Sequence, residues 1–109
     1  MNEHTVTTND IQYISVYLKE KDLTTGSISY YDLSTANSIV FRMREYGETI
    51  NTISTTMSTL SSPANTLGFC RCLATFPAEG TYSTEIEVFE GVQKITWVGD
   101  IFVVIGELG

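Results

Sequence analysis

Alternation of apolar and polar side chains is the feature that most limits how this chain can fold. In segment 38–44 (SIVFRMR), Ile39, Phe41 and Met43 alternate with residues that include two arginines, and segment 82–89 alternates in the same way. A period of two residues is typical of a strand with one buried and one solvated face. The chain also contains sixteen threonines and only two prolines, a composition that favours strands over helices. We therefore predict an all-β protein.

Apolar runs and turn motifs divide the rest of the chain into short segments. Segment 48–60 is ambiguous, because its apolar residues recur at helical spacing among poor helix formers, and we expect a strand followed by a loop. About seven short strands separated by turns predict an immunoglobulin-like antiparallel β-sandwich. The predicted strands are 11–18, 28–32, 38–44, 67–75, 82–89, 92–98 and 101–105.

Length and composition predict one domain over residues 1–109, since 42% of the residues are apolar and only 17% are charged. We expect residues 1–9 to form a mobile N-terminal arm. This segment lacks the basic and apolar regions of a signal peptide, and no apolar run approaches the ~20 residues that cross a bilayer. We therefore expect a protein that is made in a cytoplasm and has no membrane partner.

The charge balance argues against a nucleic-acid partner. Thirteen acidic and six basic residues give a formal charge of −7, the wrong sign for neutralising phosphates. The acidic residues are scattered along the sequence, as is typical of a solubilising surface.

Few residues offer catalytic chemistry. His4 is the only histidine, so neither a Ser-His-Asp triad nor a multi-histidine metal site can be built. Cys70 and Cys72 lie two residues apart in a strand-like run, where both face the same side and a bridge between them would strain the backbone. We therefore predict that they are free, buried thiols. Cys70 is not a predicted nucleophile, because nothing in the sequence offers a base to activate it, and buried cysteine is a common small core residue.

Two sets of acidic residues resemble functional sites, but ordinary roles explain both sets better. Glu85 and Glu87 share a strand face, but a glycosidase pair is a weaker interpretation than a cross-strand charge ladder with Arg42 and Arg44. The second set lies in turns without a calcium-loop motif, and such aspartates usually bond their own backbone. It comprises Asp22, Asp32 and Asp100. We therefore predict no catalytic, cofactor-binding or metal-binding residues, no cofactor and no enzymatic activity.

Segments 32–44 (DLSTANSIVFRMR) and 79–88 (EGTYSTEIEV) carry a resemblance to a known family. Together they resemble the immunoglobulin-like domain at the N-terminus of phage baseplate upper proteins, and segment 92–105 resembles that family's closing hairpin. One departure is Ala36-Asn37, where a Gly-Ala is more usual. The resemblance implies a structural protein of a tailed-phage virion, in which such modules act as assembly scaffolds and surface plugs.

Two aromatic residues bear on the sandwich interpretation. Tyr82 follows Gly80-Thr81, which is similar to the tyrosine corner of immunoglobulin sandwiches, and an ordinary core tyrosine is the alternative. Trp97 lies too late in the chain to be the core tryptophan of an antibody domain. These residues indicate a sandwich outside the antibody family.

The size of the chain favours a small capsid decoration or cement protein that binds neighbouring shell subunits in many copies or as a homo-oligomer. The alternatives are a tail or baseplate component, and a sugar-binding module that stacks sugars on Tyr30, Tyr31 and Tyr46. The expected location is the virion, after synthesis in the host cytoplasm.

Overall fold

The alternating segments build ten strands and one short 3₁₀ helix, Asn65–Leu67, within residues 2–106, which are the residues that this computed structural model describes. The chain is an all-β sandwich, as predicted, with ten strands where the sequence pattern indicates about seven. The strands are β1 (Glu3–Thr7), β2 (Ile11–Tyr17), β3 (Lys19–Lys21), β4 (Ile28–Tyr30), β5 (Ser38–Glu45), β6 (Ile53–Thr56), β7 (Phe69–Thr75), β8 (Gly80–Glu90), β9 (Gln93–Val98) and β10 (Ile101–Ile105).

The main sheet is centred on β8, its longest strand. One edge of β8 pairs with the whole of β5, and the other edge pairs first with β10 and then with β9. Strands β9 and β10 follow one another along β8, so segment 92–105 does not close as a hairpin on itself. At Gly99 and Asp100 the register slips by one residue, which is a β-bulge. Strands β1 and β6 complete the sheet at its two ends.

The second layer consists of two strand pairs, β2–β7 and β3–β4. An isolated bridge between Ser58 and Arg71 links the segment after β6 to the β7 edge. Side chains from both layers form one buried cluster, in which β5 and β8 face β7. Its members include Ile39, Phe41, Met43, Cys70, Cys72, Phe76, Tyr82, Ile86 and Val88.

The prediction of a mobile N-terminal arm is wrong for Glu3–Thr7, because these residues form β1, which runs parallel to β10. Val6 is the only strongly apolar residue of β1, so the segment has no alternation that marks a strand. Its partner strand lies almost a hundred positions later in the chain. The ladder with β10 therefore supplies a stabilisation that local sequence does not reveal.

Segment 48–60 differs in part from its prediction, because a loop over 48–52 precedes the strand, and the predicted loop then follows it. Gly47 adopts a left-handed backbone with φ of 83°, and the chain turns before β6 begins at Ile53. The turn leaves Ile50 exposed, whereas Met57 after the strand is buried. The helical spacing of Ile50, Ile53 and Met57 therefore does not indicate a helix, because Ile50 and Met57 lie in different environments, one exposed and one buried.

Candidate functional site

The outer side of the β2–β7 pair is apolar and exposed. Alternation directs Ile14 and Val16 of β2 toward the core, and it leaves the odd-numbered residues of β2 and β7 facing outward. Tyr13 and Leu73 are cross-strand partners there and remain 60% and 53% exposed. We call the following set the aromatic face: Ile11, Tyr13, Tyr17, Tyr30, Phe69, Arg71 and Leu73.

Ring contacts join the residues of the aromatic face. Tyr17 lies 5.1 Å from Phe69 and 6.1 Å from Tyr30 between ring centroids, with the rings tilted by 55° and 59°. The Arg71 guanidinium lies 4.6 Å above the Tyr13 ring. Such aromatic and cation–π contacts are favourable by about 0.5–1.5 kcal/mol each. They hold the side chains of this surface in a defined arrangement while leaving it open to solvent.

The chemistry of the aromatic face suits protein binding. Its residues include tyrosine, phenylalanine and arginine, which are enriched at the centres of protein interfaces, and none of them is acidic. An acid-free surface stands out on a chain of charge −7. Large exposed apolar patches on small domains usually mark an interaction site.

Sequence patterns alone did not identify this site. The signal was present in β2 (IQYISVY), where apolar residues occupy both faces of the strand in a domain with only two layers. A strand with two apolar faces needs a cover on each side. The β5 and β8 core covers one side of β2, and the other side is the aromatic face.

The proposed sugar-stacking tyrosines do not form one surface. Tyr31 is buried and its hydroxyl donates to Glu90 Oε2 at 2.7 Å, so the expectation of exposure is wrong for this residue. Burial, together with the Glu90 hydrogen bond, raises the pKa of Tyr31 to about 12. Tyr30 and Tyr46 are exposed, and only Tyr30 belongs to the aromatic face. Trp97 packs edge-on against Tyr31 and donates its indole N–H to Lys19 O at 2.9 Å.

His4 and Asp100 pair at 2.7 Å and fasten β1 to the bulge between β9 and β10. The hydrogen bond from His4 is the main cause that lowers the pKa of Asp100, and the Asn2 backbone N–H adds to it. The imidazole also stacks on Phe102 with centroids 5.2 Å apart. These contacts assign His4 a structural role in holding β1.

Cys70 and Cys72 are buried on the inner side of β7, which confirms their predicted burial, and both are free thiols. The Cys70 Sγ atom lies 3.9 Å from Met57 Sδ. Burial raises the pKa of Cys70 to about 12 and also raises the pKa of Cys72. Both thiols therefore resist ionisation at neutral pH.

The turn aspartates do not meet. Asp22 Oδ1 accepts from Thr24 N–H and Asp32 Oδ1 accepts from Ser34 N–H, both at 2.8 Å, as expected for aspartates that bond their own turn. The Ser34 hydrogen bonds lower the pKa of Asp32. Within residues 2–106, no group of three or more histidine, cysteine, aspartate or glutamate side chains is placed to hold a metal ion.

The predicted charge ladder forms in part. Arg42 makes an ion pair with Glu87, and Lys94 Nζ approaches the same carboxylate at 3.4 Å. Arg44 instead donates to Asn51 Oδ1 at 3.0 Å, so the prediction that Arg44 and Glu85 join the ladder is wrong. The solvated position expected for Glu87 is also wrong, because neighbouring strands on both sides of β8 cover this carboxylate and leave its side chain 10% exposed.

Tyr82 forms the hydrogen bond that a tyrosine corner requires. Its hydroxyl donates to Ala78 O at 2.8 Å, four residues upstream, while the ring is buried. This bond ties the entry of β8 to the preceding turn.

No protein-family model matches the chain, and no curated protein matches it. No helix in the described range 2–106 has the length and apolar character needed to cross a bilayer.

Proposed function

We propose that this chain is a structural protein of a tailed-phage particle, a small decoration protein that attaches to shell subunits through the aromatic face. The exposed, acid-free aromatic face is the observation that carries the protein-binding part of this proposal. The likeness of segments 32–44 and 79–88 to baseplate upper proteins supports the virion part. The function is adhesive and involves no catalysis.

Attachment by this face would stabilise the shell by mass action. A protein that binds only the assembled subunits shifts the equilibrium toward assembly, and many copies multiply the effect. Tyr13 and Tyr17 supply large, rigid contact area at low entropy cost, and Arg71 adds a donor for backbone carbonyls or carboxylates of the shell. Burial of the exposed apolar side chains supplies most of the binding free energy.

A tail or baseplate component is the second candidate, since the same face would serve attachment there. Copy number separates the two. A copy number comparable with that of the major shell subunit, measured by quantitative mass spectrometry of purified particles, supports decoration. A small copy number that matches a tail protein supports the second candidate, and absence from the particles contradicts both.

The test of the face is a double variant, Tyr13→Thr with Leu73→Thr. Threonine keeps the strand propensity, so the fold should lose little beyond the Arg71–Tyr13 contact, and the melting temperature should change by the equivalent of about 0.5–1.5 kcal/mol. Removal of two central contacts should lower attachment to particles at least tenfold, by about 1.4 kcal/mol or more. The matched control is Leu23→Thr with Ile50→Thr, which removes exposed apolar groups elsewhere. Equal attachment by both double variants would contradict the assignment of the face.

A further inference from the structure

The two layers of the sandwich separate between β1 and β2. Strand β1 belongs to the main sheet and β2 to the second layer, and a turn at residues 8–10 joins them, with Asn9 in a left-handed backbone conformation. Between the two strands lies a cleft of about 740 Å³. The turn joins β1 to β2 beyond one end of the cleft, and Trp97 and Lys19, which a hydrogen bond connects, line the other end.

Core-facing side chains line this cleft without being covered. Val6, Ile14, Val16 and Trp97 pack against the buried cluster, yet each is only half-buried because the cleft opens over it. Elsewhere in the sandwich the equivalent inward positions, such as Met43 and Val88, are buried. The cleft therefore lacks apolar side chains that would complete the core along this side.

The edge of β2 that borders the cleft offers a ladder of free backbone groups. Phe76 N–H donates to Asp10 O at 2.9 Å and Leu18 N–H donates to Gly68 O at 2.8 Å, so even-numbered residues of β2 bond to β7. In an antiparallel pair the alternate residues direct N–H and C=O away from the partner. These are Ile11, Tyr13, Ser15 and Tyr17. Among the described residues, no backbone group bonds to this edge.

Strand β2 also lacks the features that normally protect an edge. Its sequence, IQYISVY, contains no charge and no proline, and its pairing with β7 runs without a bulge. Unprotected edges of this kind readily accept another strand. Glu3, Asp100 and Lys19 are charged residues that line the cleft, and Asp10 lies in the turn that joins β1 to β2, so acidic residues outnumber Lys19 there.

We propose that an extended segment of another protein adds to the free edge of β2 and inserts alternate apolar side chains into the cleft. Its central residues are uncharged and it carries a basic residue near each end, complementary to Asp10 and Glu3. A second copy of this chain fits less well, because it brings the same acidic ends and a further charge of −7. This inference rests on the proposed function only in taking the partner to be a protein.

The probe is a capped peptide in which valine alternates with threonine over the length of β2, with a lysine at each end. Amide hydrogen exchange of the full chain, followed by NMR, is the readout. Without peptide, the amides of Tyr13, Ser15 and Tyr17 should exchange fast and those of Ile14 and Val16 slowly. Peptide binding should slow the first set by at least tenfold and leave the second set unchanged.

Ser15→Pro provides a direct test, because it removes one cleft-facing N–H without removing a β2–β7 hydrogen bond. Ser15→Pro should weaken peptide binding by at least about threefold, whereas the Ser15→Ala variant should bind the peptide as tightly as the natural chain does. N-methylation of the peptide on alternate amides tests the same ladder with the protein intact. Methyl groups on the amides that face β2 should abolish binding, and methyl groups on the other amides should not.

The outcomes separate this inference from the proposed function. If the peptide slows none of the cleft-facing amides up to its solubility limit, the inference is wrong, even where the aromatic-face variant loses particle attachment. If the peptide binds but purified particles lack the chain, the virion proposal fails and the inference stands. Sedimentation shows whether the chain alone is a dimer. If it is, and if the amides of Tyr13, Ser15 and Tyr17 already exchange slowly without peptide, a second copy is the occupant and the choice of partner is wrong.

Discussion

Glu87 forms ion pairs with residues on both strands that neighbour β8 in the main sheet. It lies on β8 between β5 and β9, and its carboxylate meets Arg42 from one neighbour and Lys94 from the other. The side chain of Arg42 is 23% exposed, so loss of its partner would leave a poorly solvated guanidinium. Breaking a buried pair on one side costs more than removing a surface ion pair.

Glu87→Gln should therefore lower the free energy of unfolding by about 1.5–3 kcal/mol, the range for a hydrogen bond to a charged group. Chemical denaturation of both proteins measures this difference. The matched control is Glu85→Gln on the same face of β8, which makes no ion pair among the described residues and should cost about 0.5 kcal/mol or less. Equal costs for the two variants would show that the Arg42 contact contributes nothing to stability.

At the scale of elements, β1 depends on a contact between distant parts of the chain. Asp100 accepts hydrogen bonds from His4 and from the Asn2 backbone, and both groups belong to the N-terminal segment. The pKa of Asp100 is lowered in the folded protein from its ordinary value of 3.8. A lowered carboxyl pKa means that the ionised form stabilises the fold above pH 3.8, and that this contribution is lost as the pH falls through the folded pKa.

Asp100→Asn should lower the melting temperature at neutral pH by the equivalent of about 0–1 kcal/mol, because the pair is partly exposed. The difference from the natural chain should shrink as the pH falls below about 3.8, since protonation removes the same charge. Melting curves of both proteins, recorded from neutral pH to below about pH 3.8, measure this difference in stability. Glu3→Gln is the control for loss of an exposed carboxylate from β1. A difference that stays constant with pH would contradict the role of the charge.

Strands that contain several apolar residues were predictable from sequence, and strands with one apolar residue or none were not. Strand β5 buries Ile39, Phe41 and Met43, so its alternation gave it nearly correct bounds. Strand β4 is exposed but lies within the predicted strand 28–32, because it contains Ile28 and Tyr30. Strand β3 (KEK) has no apolar residue, and β1 has only Val6 as a strongly apolar residue. Their formation depends on ladder partners, and pairing partners are not encoded in local periodicity.

The candidate site shows the same limit. The sequence placed exposed aromatics at Tyr30, Tyr31 and Tyr46, but layer assignment decides which tyrosines face solvent. Tyr31 closes against Trp97 in the core, whereas Tyr13 and Tyr17 face outward because β2 packs its even-numbered side on the main sheet. Contacts across the two layers, which no local pattern specifies, therefore determine the aromatic face.

At the scale of the whole molecule, β2 links the two proposed binding regions. Its outward side chains form part of the aromatic face, and its free edge borders the cleft. A partner on the face buries side chains, while a strand in the cleft satisfies backbone groups and fills the core. The two modes use different chemistry, so a single partner with an extended segment beside a folded surface can engage both.

The two cysteines lie in the centre of this molecule and report on its global unfolding. Cys70 and Cys72 face the core from β7, where side chains of both layers cover them. Two barriers protect the thiols from a labelling reagent. Burial blocks access, and the raised pKa of Cys70, about 12, keeps the reactive thiolate scarce. The natural chain therefore carries a probe of the junction between its two layers.

Labelling of Cys70 and Cys72 should require global unfolding, because the main sheet and the second layer must part before reagent can enter. The free energy of opening measured from labelling rates should then equal the value from equilibrium denaturation, with the same dependence on denaturant concentration. Ser29→Cys adds a thiol on exposed β4 and provides the fast-reacting control. A smaller free energy with a weaker denaturant dependence would show that the β2–β7 pair opens locally. Strand β2 would then be able to move away from the core independently of the main sheet.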